Sequence, residues 1–273
     1  MYTGLAQQPV FWYTDVNGAK ILLDVTVNGD HVSADTYTAE IACPNDKNYK
    51  LTGGAASYNK QFTIAPKDIE VEWTLDGNQW VTDFVDDYSG NAVDYSATAK
   101  MLATYEGEFN KIGLKFEILK KDSVTGASIV WTGDIRDAGI YTLRAYVSDK
   151  TLADNYNVKE FSRQITIDKL PLNITVNGGN DYTLNYNDAA PAYTAVFNGF
   201  VPVYNDANGS PVDEAVTVKA AVEAVEDWIF SKYIQGSQPG SYDVTLTTDS
   251  DKLKLLRQIL RNYEWEQNFT GVK

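Results

Sequence analysis

The chain repeats itself, and a tandem repeat limits the available folds more than any single motif does. A first phrase reads Tyr2-Thr3-Gly4-Leu5-Ala6, then Tyr88-Ser89-Gly90-Asn91-Ala92, then in looser form Tyr186-Asn187-Asp188-Ala189-Ala190-Pro191. A second is Ala34-Asp35-Thr36-Tyr37-Thr38, then Ala138-Gly139-Ile140-Tyr141-Thr142, then Pro239-Gly240-Ser241-Tyr242-Asp243. A third is Asn48-Tyr49-Lys50-Leu51, then Asn155-Tyr156-Asn157-Val158, then Asn262-Tyr263-Glu264-Trp265. A fourth occurs twice, as Phe62-Thr63-Ile64-Ala65-Pro66-Lys67 and as Ile165-Thr166-Ile167-Asp168-Lys169. The Asn-Tyr pairs recur at 107 residues both times. A period above about 50 residues exceeds one propeller blade or solenoid turn, so the repeated unit is a whole small domain.

The 273 residues therefore divide into three segments of a size common among small β-sandwiches. The predicted boundaries are 1–66, 67–168 and 169–273, with Ala65-Pro66-Lys67-Asp68 and Asp168-Lys169-Leu170-Pro171 as joints. Each joint is short and holds a proline, which restricts bending far more than a Gly/Ser linker would. The expected result is a semi-rigid, elongated string. The first segment begins at its Tyr-x-Gly phrase and lacks the strand that opens the second. The third is expected to stop where its Thr-Ile strand should start. The chain reads as a piece of a longer array.

Composition points to β structure. Tyrosine occurs 18 times, and Val, Ile, Thr and Tyr suit a pleated, half-buried surface. Alternation with period two marks strands at Ile69–Trp73, Ile112–Ile118, Tyr141–Val147, Leu172–Val176 and Tyr242–Leu246. Lys20–Val27 reads as one strand between the turn signals Asn17-Gly18 and Asn28-Gly29, and Asn177-Gly178 follows another strand in the same way. Two segments resist. Leu253, Leu256, Leu260 and Tyr263 have helical spacing behind a cap at Ser250, which predicts a short helix over Asp251–Tyr263 in the third repeat. Residues 214–230 fit both periods: Val218, Val222, Val225 and Ile229 as a helix, Val216, Val218, Ala220 and Val222 as a strand. Repeat register favours strand at the start.

The formal charge of −14 argues against nucleic acid and anionic lipid as partners. One cysteine, Cys43, excludes an internal disulfide. No apolar run approaches the ~18 residues of a membrane span, and the first residues lack the basic and apolar regions of a signal peptide, so any signal or anchor is expected to lie outside this sequence.

Little in the sequence suggests chemistry. His31 is the only histidine and lies in a turn; Cys43 has no second cysteine to form a metal pair. Asn205 to Glu214 clusters oxygen donors around Gly209, and Asp206, Asn208 and Asp213 are the candidate calcium ligands there. In the EF-hand register, however, Tyr204 and Ala215 occupy the two anchoring acid positions. The pairs Asp86-Asp87 and Glu226-Asp227 are sequence neighbours, which point to opposite faces of a strand and make no glycosidase pair. No catalytic residue and no cofactor is expected. The aromatics divide between core and ligand roles. Trp73 and Trp131 sit in alternating strands and belong to cores. Trp12 and Trp80 have no repeat counterpart and are the candidates for a sugar-stacking surface.

With the phrases laid out, the chain resembles the bacterial surface modules called MBG domains, including the YGX type, which belong with bacterial immunoglobulin-like and β-grasp-like stalk repeats. Repeat three, from Asn185 to Tyr193 and then Asn198-Gly199-Phe200, looks most like the YGX pattern, with Asn187 where its glycine belongs. Repeat one has Asp35 where the core phrase has glycine. The resemblance implies three all-β modules, Ig-like or β-grasp-like, in an extracellular or surface protein of bacteria. It implies a spacer that projects other domains and has neighbouring domains of the same chain as partners. The alternative is an adhesion module that binds mucin or polysaccharide.

Overall fold

The computed structural model describes residues 1–27, 31–42, 57–101, 113–122, 125–159 and 161–265. Cys43, Asn48-Tyr49, Asn28-Gly29 and the expected final strand near Lys273 lie outside these residues. The fold is mainly β, with several small sheets and three helices among the described residues.

In chain order the first strands are β1 (Trp12–Thr14), β2 (Lys20–Leu22), β3 (Asp24–Val27), β4 (Asp35–Ala42), β5 (Ser57–Ile64), β6 (Lys67–Leu75) and β7 (Asn78–Gln79). Then come β8 (Phe84–Asp87), β9 (Tyr95–Met101), β10 (Leu114–Lys121), β11 (Ser128–Trp131) and β12 (Gly139–Val147). The helix α1 (Lys150–Ala153) precedes β13 (Tyr156–Lys159), β14 (Ser162–Asp168) and β15 (Leu170–Val176). The last part holds β16 (Ala195–Asn198), β17 (Tyr204–Asn205), β18 (Pro211–Val212), α2 (Glu214–Glu223), β19 (Ile229–Ser231), β20 (Val244–Leu246), α3 (Ser250–Ile259) and β21 (Tyr263–Trp265).

The chain forms two compact units. The first comprises Met1–Val81, Tyr95–Glu117 and Arg144–Arg163. Its β3-β4-β5 sheet is antiparallel throughout, and β4 turns Ala39 and Ile41 inward while Glu40 faces out. A second sheet sets β6 between β9, antiparallel, and β13, parallel. Ile69, Val71 and Trp73 alternate inward along β6, as their period requires. Tyr2, Ile64, Ile69, Val147 and Tyr156 form one buried cluster. The predicted single strand at 20–27 is two strands. β2 pairs with β1 and β3 with β4, and the chain switches partners at Leu23, whose N–H donates to the Phe11 carbonyl at 3.0 Å.

The second unit comprises Thr82–Asp94, Ile118–Leu143 and Gln164–Lys273. It includes β14 paired in parallel with β8, β10 paired antiparallel with β11, and a sheet in which β15 lies between β16, antiparallel, and β21, parallel. Residues 214–223 are helix, not strand. Asp213 caps α2 by accepting from the Ala215 N–H at 3.0 Å. The helical period also buries Val222 and Val225, whereas Val216, which a strand would have buried, is 63% exposed. α3 begins one residue earlier than predicted, because Asp249 rather than Ser250 accepts from the N–H groups of Asp251 and Lys252. It stops at Ile259, and Tyr263 belongs to β21. Asn177-Gly178 is not a hairpin turn but part of a 3₁₀ turn over Asn177–Gly179.

The glycines of the second phrase are not equivalent. Gly139 has φ +151°, and a Cβ there would stand 3.0 Å from Lys120 Cε. At Gly240 the nearest neighbouring atom would be 3.9 Å away. Gly139→Ala should therefore cost about 1–3 kcal/mol, and Gly240→Ala less than about 0.5 kcal/mol. Urea denaturation of the two variants checks this; equal costs would contradict it.

Candidate functional site

The four repeated phrases meet in space, twice, at Ala65–Asp68 and at Asp168–Pro171, the segments that the sequence reads as joints. At the first joint the Tyr2 N–H donates to the Ala65 carbonyl at 2.7 Å, just past the Thr-Ile strand. The Lys67 N–H donates to the Asn155 carbonyl at 2.9 Å. The Asn155 side chain reaches back, its Oδ1 accepting from the Ala34 N–H at 2.6 Å. The ring of Tyr156 meets that of Tyr2 edge-on, centroids 5.3 Å apart at 80°. Tyr37 braces the receiving loop by donating its hydroxyl to the Ser33 carbonyl, four residues back, at 2.8 Å.

The second joint makes the same bonds with the next copy of each phrase. Tyr88 N–H donates to the Asp168 carbonyl at 2.9 Å and Leu170 N–H to the Asn262 carbonyl at 3.2 Å. Asn262 Oδ1 accepts from the Ala138 N–H at 2.9 Å. Tyr263 meets Tyr88 edge-on at 5.9 Å and 82°. Tyr141 donates to the Asp137 carbonyl at 2.8 Å. At both joints the Asn-Tyr strand then runs parallel to the strand that leaves the joint, β13 from Tyr156 against Lys67 and β21 from Tyr263 against Leu170.

Both asparagines are buried, Asn155 at 3% and Asn262 at 7% exposure. A buried amide that loses its partner leaves an unsatisfied backbone donor behind, at about 1–3 kcal/mol. Each edge-on tyrosine pair adds about 0.5–1.5 kcal/mol beyond its buried area.

The second joint carries more. Asn262 Nδ2 donates to Asp137 Oδ1 at 3.0 Å, and Arg261 Nε to Asp137 Oδ2 at 3.1 Å. Burial alone would raise the Asp137 carboxyl, but these bonds and the Arg261 charge outweigh it and hold its pKa below the usual carboxylate range. Glu214, the first residue of α2, is 4% exposed and accepts from three tyrosine hydroxyls. Tyr88 reaches Oε1 at 2.6 Å, Tyr204 reaches it at 3.2 Å, and Tyr263 donates to Oε2. The Tyr263 oxygen in turn accepts from the Val201 N–H at 3.0 Å. Burial and the neighbouring Glu214 push the phenols of Tyr88 and Tyr263 up, so both stay neutral well past the ordinary range. Gly90 sits against the Tyr204 ring with φ +76°, where any Cβ would overlap that ring.

The residues singled out from the sequence lie elsewhere. Trp80 is not on the surface: it is 5% exposed and packs edge-on against Trp73 at 5.8 Å. Trp12 is 56% exposed in β1. Asp206 spends Oδ1 on the N–H groups of Asn208 and Ser210, both at 2.8 Å, and so closes its own turn. Asp213 caps α2. His31 stacks on Tyr37 at 4.0 Å. Sequence reasoning found the joint phrases but not their role. The available signal was a polar Asn at one place in every repeat.

In comparisons with known proteins, no protein-family model matches the chain, and no curated protein matches it.

Two titrations follow. Asp137 is stabilised in its charged form on folding, so its contribution is present above about pH 4 and is lost as pH falls below that. The acid limb of the stability curve should be shallower in Asp137→Asn than in the parent, measured by thermal melts across pH. The buried phenols of Tyr88 and Tyr263 have the opposite sign. Their contribution is complete below about pH 10 and declines as pH rises further, because only the unfolded chain ionises there. Ultraviolet difference spectra should show a late-titrating class of phenols that ionises together with unfolding. Ionisation of all tyrosines near pH 10, with the fold intact, would refute it.

Proposed function

We propose that this chain is a non-catalytic spacer of a bacterial surface or secreted protein, with serial β modules at 1–66, 67–168 and 169–273 that hold other domains at a distance. The observation that carries this reading is the duplication of one joint. The same four phrases make the same backbone and asparagine bonds at Ala34/Asn155 and at Ala138/Asn262. Selection for a ligand site would repeat side chains around a cleft. Here the repeated residues tie one segment to the next. A spacer needs such joints, since short linkers limit bending only when the flanking modules are also held in register.

The test has two parts. Small-angle scattering should give a radius of gyration of about 30 Å, against roughly 18–19 Å for a single compact globule of this length; a value near 20 Å would sink the reading. Asn155→Ala and Asn262→Ala should each destabilise by about 1–3 kcal/mol and broaden the distance distribution from the same scattering. Variants that lose stability without any change in scattering would place the asparagines in cores rather than in joints.

A further inference from the structure

The third repeat carries the receiving half of the same joint. Tyr242 donates its hydroxyl to the Gln238 carbonyl, four residues back, at 2.7 Å, as Tyr37 does to Ser33 and Tyr141 to Asp137. Tyr186 stands where Tyr2 and Tyr88 stand in the first phrase, and Asn187 beside it takes φ +69°, a left-handed conformation that asparagine tolerates better than most residues. The two phrases face one cavity of about 350 Å³, lined by Tyr182, Tyr186, Tyr193, Tyr233 and Tyr242 together with the loop 238–241. At the other two joints the corresponding tyrosines are 3% exposed because an Asn-Tyr pair covers them; Tyr186 is 68% exposed. Among the described residues no Asn-Tyr segment lies against Tyr186.

We propose that this cavity is a docking site for the Asn-Tyr strand of another module of this repeat type. The inference rests on the joint reading given above and names the partner of its third copy. The tyrosine of the incoming strand would meet Tyr186 edge-on, as Tyr156 meets Tyr2. The asparagine would enter beside the loop at Pro239. Gln238 stands where Asp137 does, and its side-chain carbonyl is the natural acceptor for the asparagine Nδ2. One difference sets the third site apart. Pro239 occupies the position of Ala34 and Ala138, whose N–H groups hold the asparagine Oδ1, and proline has no N–H to give. The third site therefore binds the same strand with one hydrogen bond fewer, and it is the weakest of the three. A cavity of this size is also at the lower end of the range for small-ligand pockets, about 300–1,000 Å³, and its tyrosines would suit sugar faces. The bond pattern shared with two occupied joints favours the strand.

The experiment titrates the isotope-labelled 273-residue chain with a peptide copying residues 153–159, and with a control in which the Asn and Tyr of that peptide are alanine. Amide signals of Tyr186 and of 238–242 should move with the peptide and stay still with the control. Tyr186→Ala, at an exposed position, should reduce the affinity several-fold. Pro239→Ala restores a backbone donor and should tighten binding about two- to tenfold, the worth of one net hydrogen bond. Unmoved signals at millimolar peptide overturn the proposal, as does an affinity that Pro239→Ala leaves unchanged or weakens. Movement of the same signals with an oligosaccharide panel but not with the peptide would also overturn it and assign the cavity to carbohydrate. None of these failures touches the joint reading, which stands or falls on the Asn155→Ala and Asn262→Ala measurements.

Discussion

A buried asparagine amide is the interaction on which the arrangement depends. Its side-chain oxygen and its backbone carbonyl each take a backbone N–H from a different stretch of chain, at Ala34 and Lys67 for Asn155 and at Ala138 and Leu170 for Asn262. Such a group cannot be half satisfied cheaply, because each donor it serves is itself taken out of water. The amide therefore fixes three segments at once: the receiving loop, the strand that leaves the joint, and the Asn-Tyr strand itself. The parallel pairs β13 with β6 and β21 with β15 follow from it, since the strands that begin at Asn-Tyr and at the joint start side by side and run the same way.

The two joints are not identical, and the difference is electrostatic. The asparagine and tyrosine contacts at the first are made by neutral groups. The second adds Asp137 with Arg261, and it adds Glu214 beneath the hydroxyls of Tyr88, Tyr204 and Tyr263. Glu214 is available there only because repeat three contains α2, whose capped N-terminus delivers the carboxylate to the cluster. A helix that broke the repeat register thus reinforces the joint the repeat encodes. On a chain with net charge −14, two of its acids are spent on packing rather than on solvation.

Much of the fold was legible in the sequence. Strands with strict alternation, such as β6, β12 and β15, needed only the period of two and the burial of one face. The mainly-β character followed from the same pattern and from the tyrosines. Other features were not legible, for specific reasons. In 214–223, β-branched residues satisfied two periods equally, and the decision fell to the Asp213 cap and to which valines found a core. Trp80 looked unattached because its partner Trp73 sits across a two-residue turn, at a spacing that repeat comparison does not reveal. The joints were hidden for a plainer reason: Asn155 and Ala34 are 121 residues apart, and Asn262 and Ala138 are 124 apart. No local period links them. Only the recurrence of a polar residue amid changing apolar ones hinted that it was held by something.

At both joints the asparagine Oδ1 recognises main chain. The side chains of the receiving loop differ between the copies, Ser33 and Asp35 in one and Asp137 and Gly139 in the other, while the N–H between them stays in place. The bond to Oδ1 itself does not depend on which side chains the loop carries, although Asp137 and Gly139 make their own contributions at the second joint. Sequence drift in the loop can change what surrounds the bond and leave the bond itself in place. A proline at the donor position is one of the few point changes that would remove it outright, because proline has no N–H to give.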